Sequence, residues 1–279
     1  MRASMVQAEK KYTINMKDFD ESEHPRDEDG KFTFKDMADA AVLVGHTNFL
    51  NKPISYYDYS DNYSDTISEE QHQELNQISG KKLPKSAYMN LLGGFVDPDL
   101  KAENVKFVNR GNGGMYAMIR TDKYRVTRGI NFNTGVIENY SMNVDPEYQG
   151  QGIGTKLLYN QVHQAQELGF KTIMTYAQRT GDANGYYTWP RLGYKMDPAS
   201  LPPEDHYMAD SGKTSKQLVQ DLAEIARIKA DDLTEMMSTK EGRELWKTMG
   251  FGFDAEFDLT PGSESQIILD NVYKHKFKK

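Results

Sequence analysis

The segment from Val144 to Leu158, VDPEYQGQGIGTKLL, places glycines at three alternate positions, Gly150, Gly152 and Gly154. Because glycine has no Cβ, the backbone can turn sharply there and approach a ligand closely. The apolar residues that follow have helical spacing, and Gly169 is placed to end that helix. A glycine-rich turn from a strand into a helix presents backbone N–H groups to an anion, which predicts a phosphate-bearing cofactor.

Two well-known phosphate loops do not fit this segment. A Walker loop needs Gly-Lys-Ser/Thr, whereas the chain has Gly154, Thr155 and Lys156 in another order. A dinucleotide fingerprint needs a third glycine where the chain has Leu157, and an acidic residue about 20 positions further on that is missing. The pattern is instead Gln149-x-x-Gly152-x-Gly154.

This pattern, which follows a strand ending Val144-x-Pro146, resembles the coenzyme A pyrophosphate loop of the GNAT superfamily of N-acetyltransferases. The downstream residues agree, because a strand is predicted at Lys171 to Gln178 and a short helical segment then closes with Leu192-Gly193-Tyr194. The resemblance covers residues 105 to 200. It implies an α+β fold, with a mixed, mostly antiparallel sheet flanked by helices.

Strand patterns support such a core over residues 105–197. They occur at Lys106 to Val108, Gly114 to Arg120, Tyr124 to Phe132 and Val136 to Val144, with a tight turn at Asn133-Thr134-Gly135. Residues 198–214 are a proline-rich linker, and 215–279 form a mainly helical C-terminal unit. That unit has helical patterns at Ser215 to Arg227, Asp231 to Met237 and Thr239 to Met249, then a strand at Phe253 to Leu259 and a last helix.

The N-terminal third is predicted to be less regular. Residues 1–33 form a polar, flexible arm, and residues 34–104 form a helical or irregular segment with an apolar helix at Phe34 to Val44. The stretch from Tyr56 to Tyr63 is rich in tyrosine and acid, and a capped polar helix is predicted at Ser68 to Ser79. Within the arm, HPRDEDGKFT resembles a peptide that recurs in proteins of bacteriophage heads, which favours a phage or prophage source.

The net charge and the composition limit the kinds of partner and site that the protein is expected to have. The net charge of −7 argues against broad nucleic-acid binding, although the basic end KHKFKK could contact an acidic partner. The absence of cysteine excludes disulfides, thiolate metal sites and cysteine nucleophiles, and the scattered histidines predict no metal site. Without a secretory signal or an apolar run of membrane length, the expected location is the cytoplasm, or a virion if the source is a phage.

The resemblance implies a cofactor site for acetyl-CoA. Backbone groups of Met142 and Val144 would pair with the pantetheine arm, and the loop would wrap the pyrophosphate. Asn184 either caps the short helix or contacts the pantetheine arm. The implied cofactor-binding residues are Met142, Val144, Gln149, Gly150, Gln151, Gly152, Ile153, Gly154, Thr155 and Asn184.

The candidate base is Glu138, six residues before Val144 and therefore expected on the same strand face. Some members of the superfamily use a glutamate at this place to deprotonate the amine, and the plainer alternative is a solvated strand residue. Asp145 and Glu147 are weaker candidates because they lie at the loop, and His163 is expected to be a surface residue.

The candidate acid departs from the family pattern. Many members carry a tyrosine where this chain has Trp189, whose indole cannot protonate a thiolate. Tyr187 is the preferred substitute and Tyr186 the second, if Pro190 displaces the helix; aromatic packing is the alternative.

Two hypotheses of function follow. The first is an acetyl-CoA-dependent N-acetyltransferase in which an amine of unknown identity attacks the thioester directly, with a viral or host protein as a further partner. The second is a non-catalytic GNAT-like module of a phage structural or interaction protein.

Overall fold

The computed structural model describes residues 67–94, 104–180, 183–204 and 209–277. These residues form a seven-stranded sheet in the order β1-β2-β3-β4-β5-β7-β6. The strands are β1 (Val105–Gly111), β2 (Gly114–Arg120), β3 (Tyr124–Asn131), β4 (Val136–Val144), β5 (Thr172–Ala177), β6 (Lys195–Met196) and β7 (Phe253–Asp258). The helices are α1 (Glu69–Ser79), α2 (Lys85–Leu91), α3 (Ile153–Glu167), α4 (Gly185–Arg191), α5 (Ser215–Ala226), α6 (Leu233–Ser238), α7 (Lys240–Met249) and α8 (Glu264–Phe277).

The sheet is mixed, because β4 and β5 run parallel while every other described pair is antiparallel. The predicted fold class, an α+β fold with a mostly antiparallel sheet flanked by helices, is confirmed. The chain beyond the predicted linker also contributes to this sheet, since β7 lies between β5 and β6. None of the helices in the described ranges has the length and apolar character that crossing a membrane requires.

Local signals in the sequence explain several element boundaries. The predicted polar helix is α1, whose Ser68 N-cap and Gln71 side chain form a reciprocal capping box. The loop helix α3 ends at Glu167, and Gly169 takes the left-handed conformation just beyond it. The arm at 1–33 with its phage-like peptide, the helix at Phe34 to Val44 and the tyrosine-rich stretch at Tyr56 to Tyr63 lie outside the described residues.

The two faces of the sheet differ in burial. Alternate residues of each central strand are buried against helices, and α3 covers this face with buried residues such as Leu158 and Val162. We call it the helix face. The opposite side, the open face, exposes large side chains that include Tyr140, Met174 and Tyr176. This asymmetry follows from the period of two along each strand.

A buried arginine joins the helix face to its helices. Arg128, on β3, is fully buried, and its guanidinium donates to the side chains of Asn139 on β4 and Gln161 on α3, and to the carbonyl of Leu92 after α2. Asn139 in turn donates to the Tyr194 hydroxyl at 3.0 Å. Burial lowers the pKa of Arg128 to about 10, so the guanidinium stays charged at neutral pH. No described carboxylate pairs with it, and its Nη2 has no hydrogen-bond partner.

We expect Arg128→Met to keep most of the stability and Arg128→Ala to lose much of it. Asn139 and Gln161 also hydrogen-bond each other in both directions, at 3.0 and 2.9 Å, so their amides stay paired without the guanidinium. Arg128→Met fills the space and removes an unpaired buried charge, but it also removes the hydrogen bond to the Leu92 carbonyl, so the net cost should be only about 1 kcal/mol. Arg128→Ala leaves a cavity and should cost about 3 kcal/mol or more. Urea unfolding followed by circular dichroism measures both, and equal losses would contradict this account.

The closing Leu192-Gly193-Tyr194 segment needs its glycine for space as well as conformation. Gly193 has φ +96°, and a Cβ there would lie 2.3 Å from the Ser265 carbonyl oxygen in the first turn of α8. Gly262, before α8, also has positive φ (+78°), but a Cβ there would meet nothing within 4 Å. A comparison of substitutions at Gly193 and Gly262 therefore separates the cost of backbone strain from the cost of steric conflict.

Gly193→Ala should therefore destabilise the protein more than Gly262→Ala does. Both substitutions cost about 1 kcal/mol of left-handed strain. Gly193→Ala must also displace the α8 backbone, which adds about 2 kcal/mol. The difference between the two free energies of unfolding is the measurement, and indistinguishable values would show that α8 yields easily at this contact.

Candidate functional site

The glycine loop opens α3 with unused hydrogen-bond donors. Gly150 and Gly152 have φ of +76° and +85°, and Gly152 is the N-cap of α3. Among the described residues, no acceptor bonds any of the backbone N–H groups from Gly150 to Thr155. A run of free N–H groups at the positive end of a helix is an anion-binding arrangement.

Side chains before the loop hold it against β4. Asp145 caps a short 3₁₀ turn at Pro146–Tyr148 by accepting from the Glu147 N–H. The Gln149 amide then donates to the Val144 carbonyl at 3.0 Å, and the Gln151 amide donates to the Glu147 carbonyl at 3.2 Å. Gln149 therefore ties the loop to the last residue of β4 and occupies the Val144 carbonyl.

The space at the loop depends on its glycines. A Cβ on Gly152 would lie 2.3 Å from the Phe277 ring, and one on Gly154 would lie 3.2 Å from the Met142 methyl group. The free N–H groups fit a pyrophosphate, which needs several donors, while the space beside Gly152 is bordered by the Phe277 ring. The Met142 side chain is thus packed against Gly154 at the start of α3.

A fork in the sheet lies beside the loop. The parallel pairing of β4 with β5 runs from Val136 and Thr172 to Asn139 and Thr175, and β4 then continues to Val144 without a described partner on that edge. The fork begins at Asn139, which is the last residue of β4 that pairs with β5. Asn139 also accepts a hydrogen bond from the Arg128 guanidinium. A free strand edge can pair with an extended ligand through backbone hydrogen bonds.

A β-bulge at Tyr140 changes which face each residue of β4 occupies. Arg128 pairs with Asn139, and Thr127 pairs with Ser141, so Tyr140 is an extra residue in β4. Met142 and Val144 consequently lie on the helix face, whereas Glu138 lies on the open face. The prediction that Glu138 and Val144 share a face is wrong, because an even spacing along a strand preserves the face only where the pairing is regular.

On the open face Glu138 has a close hydroxyl partner that the sequence reasoning missed. The Tyr140 hydroxyl donates a short hydrogen bond to the Glu138 carboxylate, and this bond raises the pKa of Tyr140. Gly129 faces Glu138 on β3, and a Cβ there would lie 2.9 Å from the Tyr140 ring, so the glycine lets the ring lie over β3. The bulge carries no sequence signature, and it is what places Tyr140 beside Glu138.

The aromatic residues of α4 lie among residues of α7. The Tyr187 ring lies beneath the Arg191 guanidinium (5.1 Å) and the Lys247 ammonium (6.0 Å), while the Tyr186 hydroxyl donates to the Lys247 carbonyl at 2.8 Å. No described contact joins Tyr187 to the loop or to β4. Trp189 is buried and packs on Tyr194 with ring centroids 4.9 Å apart.

Asn184 and His163 also have defined environments. Asn184 is the N-cap residue of α4, but its side chain makes no capping bond and accepts instead from the Thr188 hydroxyl at 3.2 Å. The prediction of His163 as a surface residue is wrong, since its side chain is only 12% exposed and lies 3.5 Å from Asp270 of α8. In the described ranges no group of three or more His, Asp or Glu side chains is arranged to hold a metal ion.

A family profile covers the part of the chain that holds the glycine loop and the fork. A profile of the acetyltransferase (GNAT) family matches residues 99–194, which include the sheet from β1 to β5, the glycine loop, α3 and α4. No curated protein matches the chain.

Three solved structures are similar to the chain at low identity. A nourseothricin acetyltransferase shares 16% identity with a TM-score of 0.26, over 39% of this chain and 62% of its own. The ribosomal-protein-S18-alanine N-acetyltransferase of Escherichia coli shares 13% identity with a TM-score of 0.25, over 50% and 83%. A tandem GNAT protein of the clavulanic acid biosynthesis pathway shares 11% identity with a TM-score of 0.27, over 66% and 63%.

The chain thus spans less than two thirds of the nourseothricin enzyme and of the tandem GNAT protein. The family profile coincides with the loop, the fork and the strands that form them, and it supports a GNAT-type acetyltransferase domain over residues 99–194.

Proposed function

We propose that the protein is an acetyl-CoA-dependent N-acetyltransferase that transfers an acetyl group to an amine by direct attack. The observation that carries the proposal is the run of unused N–H groups from Gly150 to Thr155, placed beside the free edge of β4. When bound, acetyl-CoA supplies an activated acetyl thioester. The protein's residues would then bind it, orient it and manage the protons of the reaction.

The cofactor side is the helix face. The loop residues from Gln149 to Thr155, including Ile153, would hold the pyrophosphate through backbone N–H groups, and Gln149 would keep the loop docked on β4. The edge of β4 at Met142 and Val144 would pair with the pantetheine arm and lead it towards the fork, except for the Val144 carbonyl, which already accepts from Gln149. Asn184 stays a proposed contact at the opposite side of the fork, at the start of α4.

The acceptor side is the open face. Glu138 lies one residue before the fork and on the face opposite α3, so a base there would meet an amine that arrives from the side away from the cofactor. The same face exposes Tyr176 and Asp254, which are paired across β5 and β7. Carboxylates and aromatic rings suit an amine that arrives as an ammonium ion. The acceptor substrate of the proposed reaction is therefore a cationic amine.

Two hydroxyl groups are candidates for protonating the departing thiolate. Tyr187 is the candidate from the sequence pattern, and Tyr140 is the candidate from its contact with Glu138. Tyr140 stays protonated near neutral pH, since its hydrogen bond to Glu138 raises its pKa. A shared hydrogen bond also allows the proton taken by Glu138 to pass to Tyr140 once that hydroxyl has given its own proton away.

The cofactor site is tested by Gly150→Asp and Gly150→Asn. Gly150 has a positive φ that both residue types tolerate, and a Cβ there would meet nothing within 4 Å, so both variants should fold. They differ only in charge, and the carboxylate should repel the pyrophosphate and weaken acetyl-CoA binding about tenfold relative to Gly150→Asn. Isothermal titration calorimetry measures the difference. Equal affinities, or no binding by the unchanged protein, would refute this cofactor site.

The proton relay is tested by three substitutions. Glu138→Gln should lower kcat/KM for an amine acceptor about 100-fold or more, because it removes the base. Tyr140→Phe should lower kcat about tenfold if Tyr140 is the general acid. Tyr187→Phe should lower kcat by the same factor if Tyr187 is the general acid instead. Release of the coenzyme A thiol, with polyamines, amino sugars and peptides as acceptors, gives the rates. The protein adds no background to this assay, because it has no cysteine.

Tyr116→Phe is the matched control for the hydroxyl substitutions. Tyr116 lies on the same face, with its ring centroid 5.8 Å from that of Tyr140, but has no hydrogen bond to Glu138. Its rate should equal that of the unchanged protein. A fully active Glu138→Gln variant would exclude Glu138 as the base.

A further inference from the structure

The C-terminal helix α8 lies outside the matched family region, yet it ends at the glycine loop. It packs antiparallel along α3 through three successive contacts. Asp270 lies 3.5 Å from His163, Tyr273 stacks on Tyr159 with centroids 3.8 Å apart, and the Phe277 ring lies 4.8 Å from the Lys156 ammonium. The C-terminus of α8 is thereby brought to the N-terminus of α3.

The last turn of α8 carries positive charge to the loop. A Cβ on Gly152 would lie 2.9 Å from Cε of Lys276 and 2.3 Å from the Phe277 ring. Lys156, in the first turns of α3, lies over that same ring. Two lysine side chains therefore border the loop whose backbone N–H groups lack acceptors.

The two lysines, Lys156 and Lys276, lack an ion-pair partner in the described part of the chain. Lys276 lies in the last turn of α8, where the helix dipole favours a cation, whereas the N-terminus of α3 favours an anion. Coenzyme A carries its negative charge on its pyrophosphate and 3′-phosphate, which is the charge this surface lacks.

We propose that the last turn of α8 is part of the coenzyme A site, with Lys276 and Lys156 binding the cofactor's phosphates and Phe277 holding Lys156 in place. This inference rests on the proposed function and deepens it. On this proposal, the acidic partner of the basic C-terminal run is the set of coenzyme A phosphates. Lys278 and Lys279 of that run lie outside the described residues. On the same proposal, α8, which the family profile does not include, also has a role in cofactor affinity.

The test compares Lys276→Gln with Lys274→Gln in the full-length protein. Both substitutions remove one positive charge from the same helix turn, and Lys276 is the one that lies beside Gly152 of the loop. Calorimetry with coenzyme A, 3′-dephospho-coenzyme A and pantetheine measures binding at low and high salt. Lys276→Gln should weaken coenzyme A binding about fivefold at low salt, and less at high salt, because charged hydrogen bonds are lost and salt screens them. Pantetheine, which has no phosphate, should bind both variants and the unchanged protein equally.

The outcomes separate this inference from the proposed function. If the unchanged protein binds coenzyme A and Lys276→Gln binds it equally well, the role of α8 is overturned and the proposed function stands. Tighter binding by Lys276→Gln or by Phe277→Ala would also overturn it, because the last turn would then obstruct the loop. If the unchanged protein does not bind coenzyme A, both the proposed function and this inference fail.

Discussion

A single buried guanidinium organises the helix face of this protein. Arg128 bonds to β4 through Asn139, to α3 through Gln161 and to the end of α2 through Leu92. A guanidinium has five donors and a fixed planar shape, so its partners must take defined positions around it. Without a carboxylate partner the arrangement is costly in stability, and it places β4 and α3 in a fixed relation. Because the glycine loop joins β4 to α3, the same contacts fix its position.

The fork and the bulge begin next to this buried charge and divide the site between two faces. Asn139 is the last residue of β4 that pairs with β5, and Tyr140 is the extra residue that follows it. Before the bulge, Glu138 faces the open side, and after it, Met142 faces α3. In the proposed transfer reaction, this division would let the two reactants approach one point from opposite sides without competing for space.

Two elements that follow the family-matched residues 99–194 in the sequence also contribute to this arrangement. The strand β7 extends the sheet beside β5, and α8 then runs back along α3 to the glycine loop. Gly193 lets the start of α8 pack against the end of α4, since a Cβ there would meet the Ser265 carbonyl. The closing Leu-Gly-Tyr segment is therefore explained by a contact with a part of the chain about 70 residues later, which no local pattern reveals.

The sequence by itself determined the features that depend on local physical chemistry. The strands Gly114–Arg120 and Val136–Val144 follow from their patterns, as does the capped helix α1, and the alternating glycines predict a turn that opens α3. Tertiary structure alone decided the rest. The bulge at Tyr140 reversed the face expected for Glu138. Contact with α8 left the His163 side chain only partly exposed, and α4 placed Tyr187 beside residues of α7. These outcomes depend on pairing register and on contacts between distant segments, whose energies do not appear in any local window of sequence.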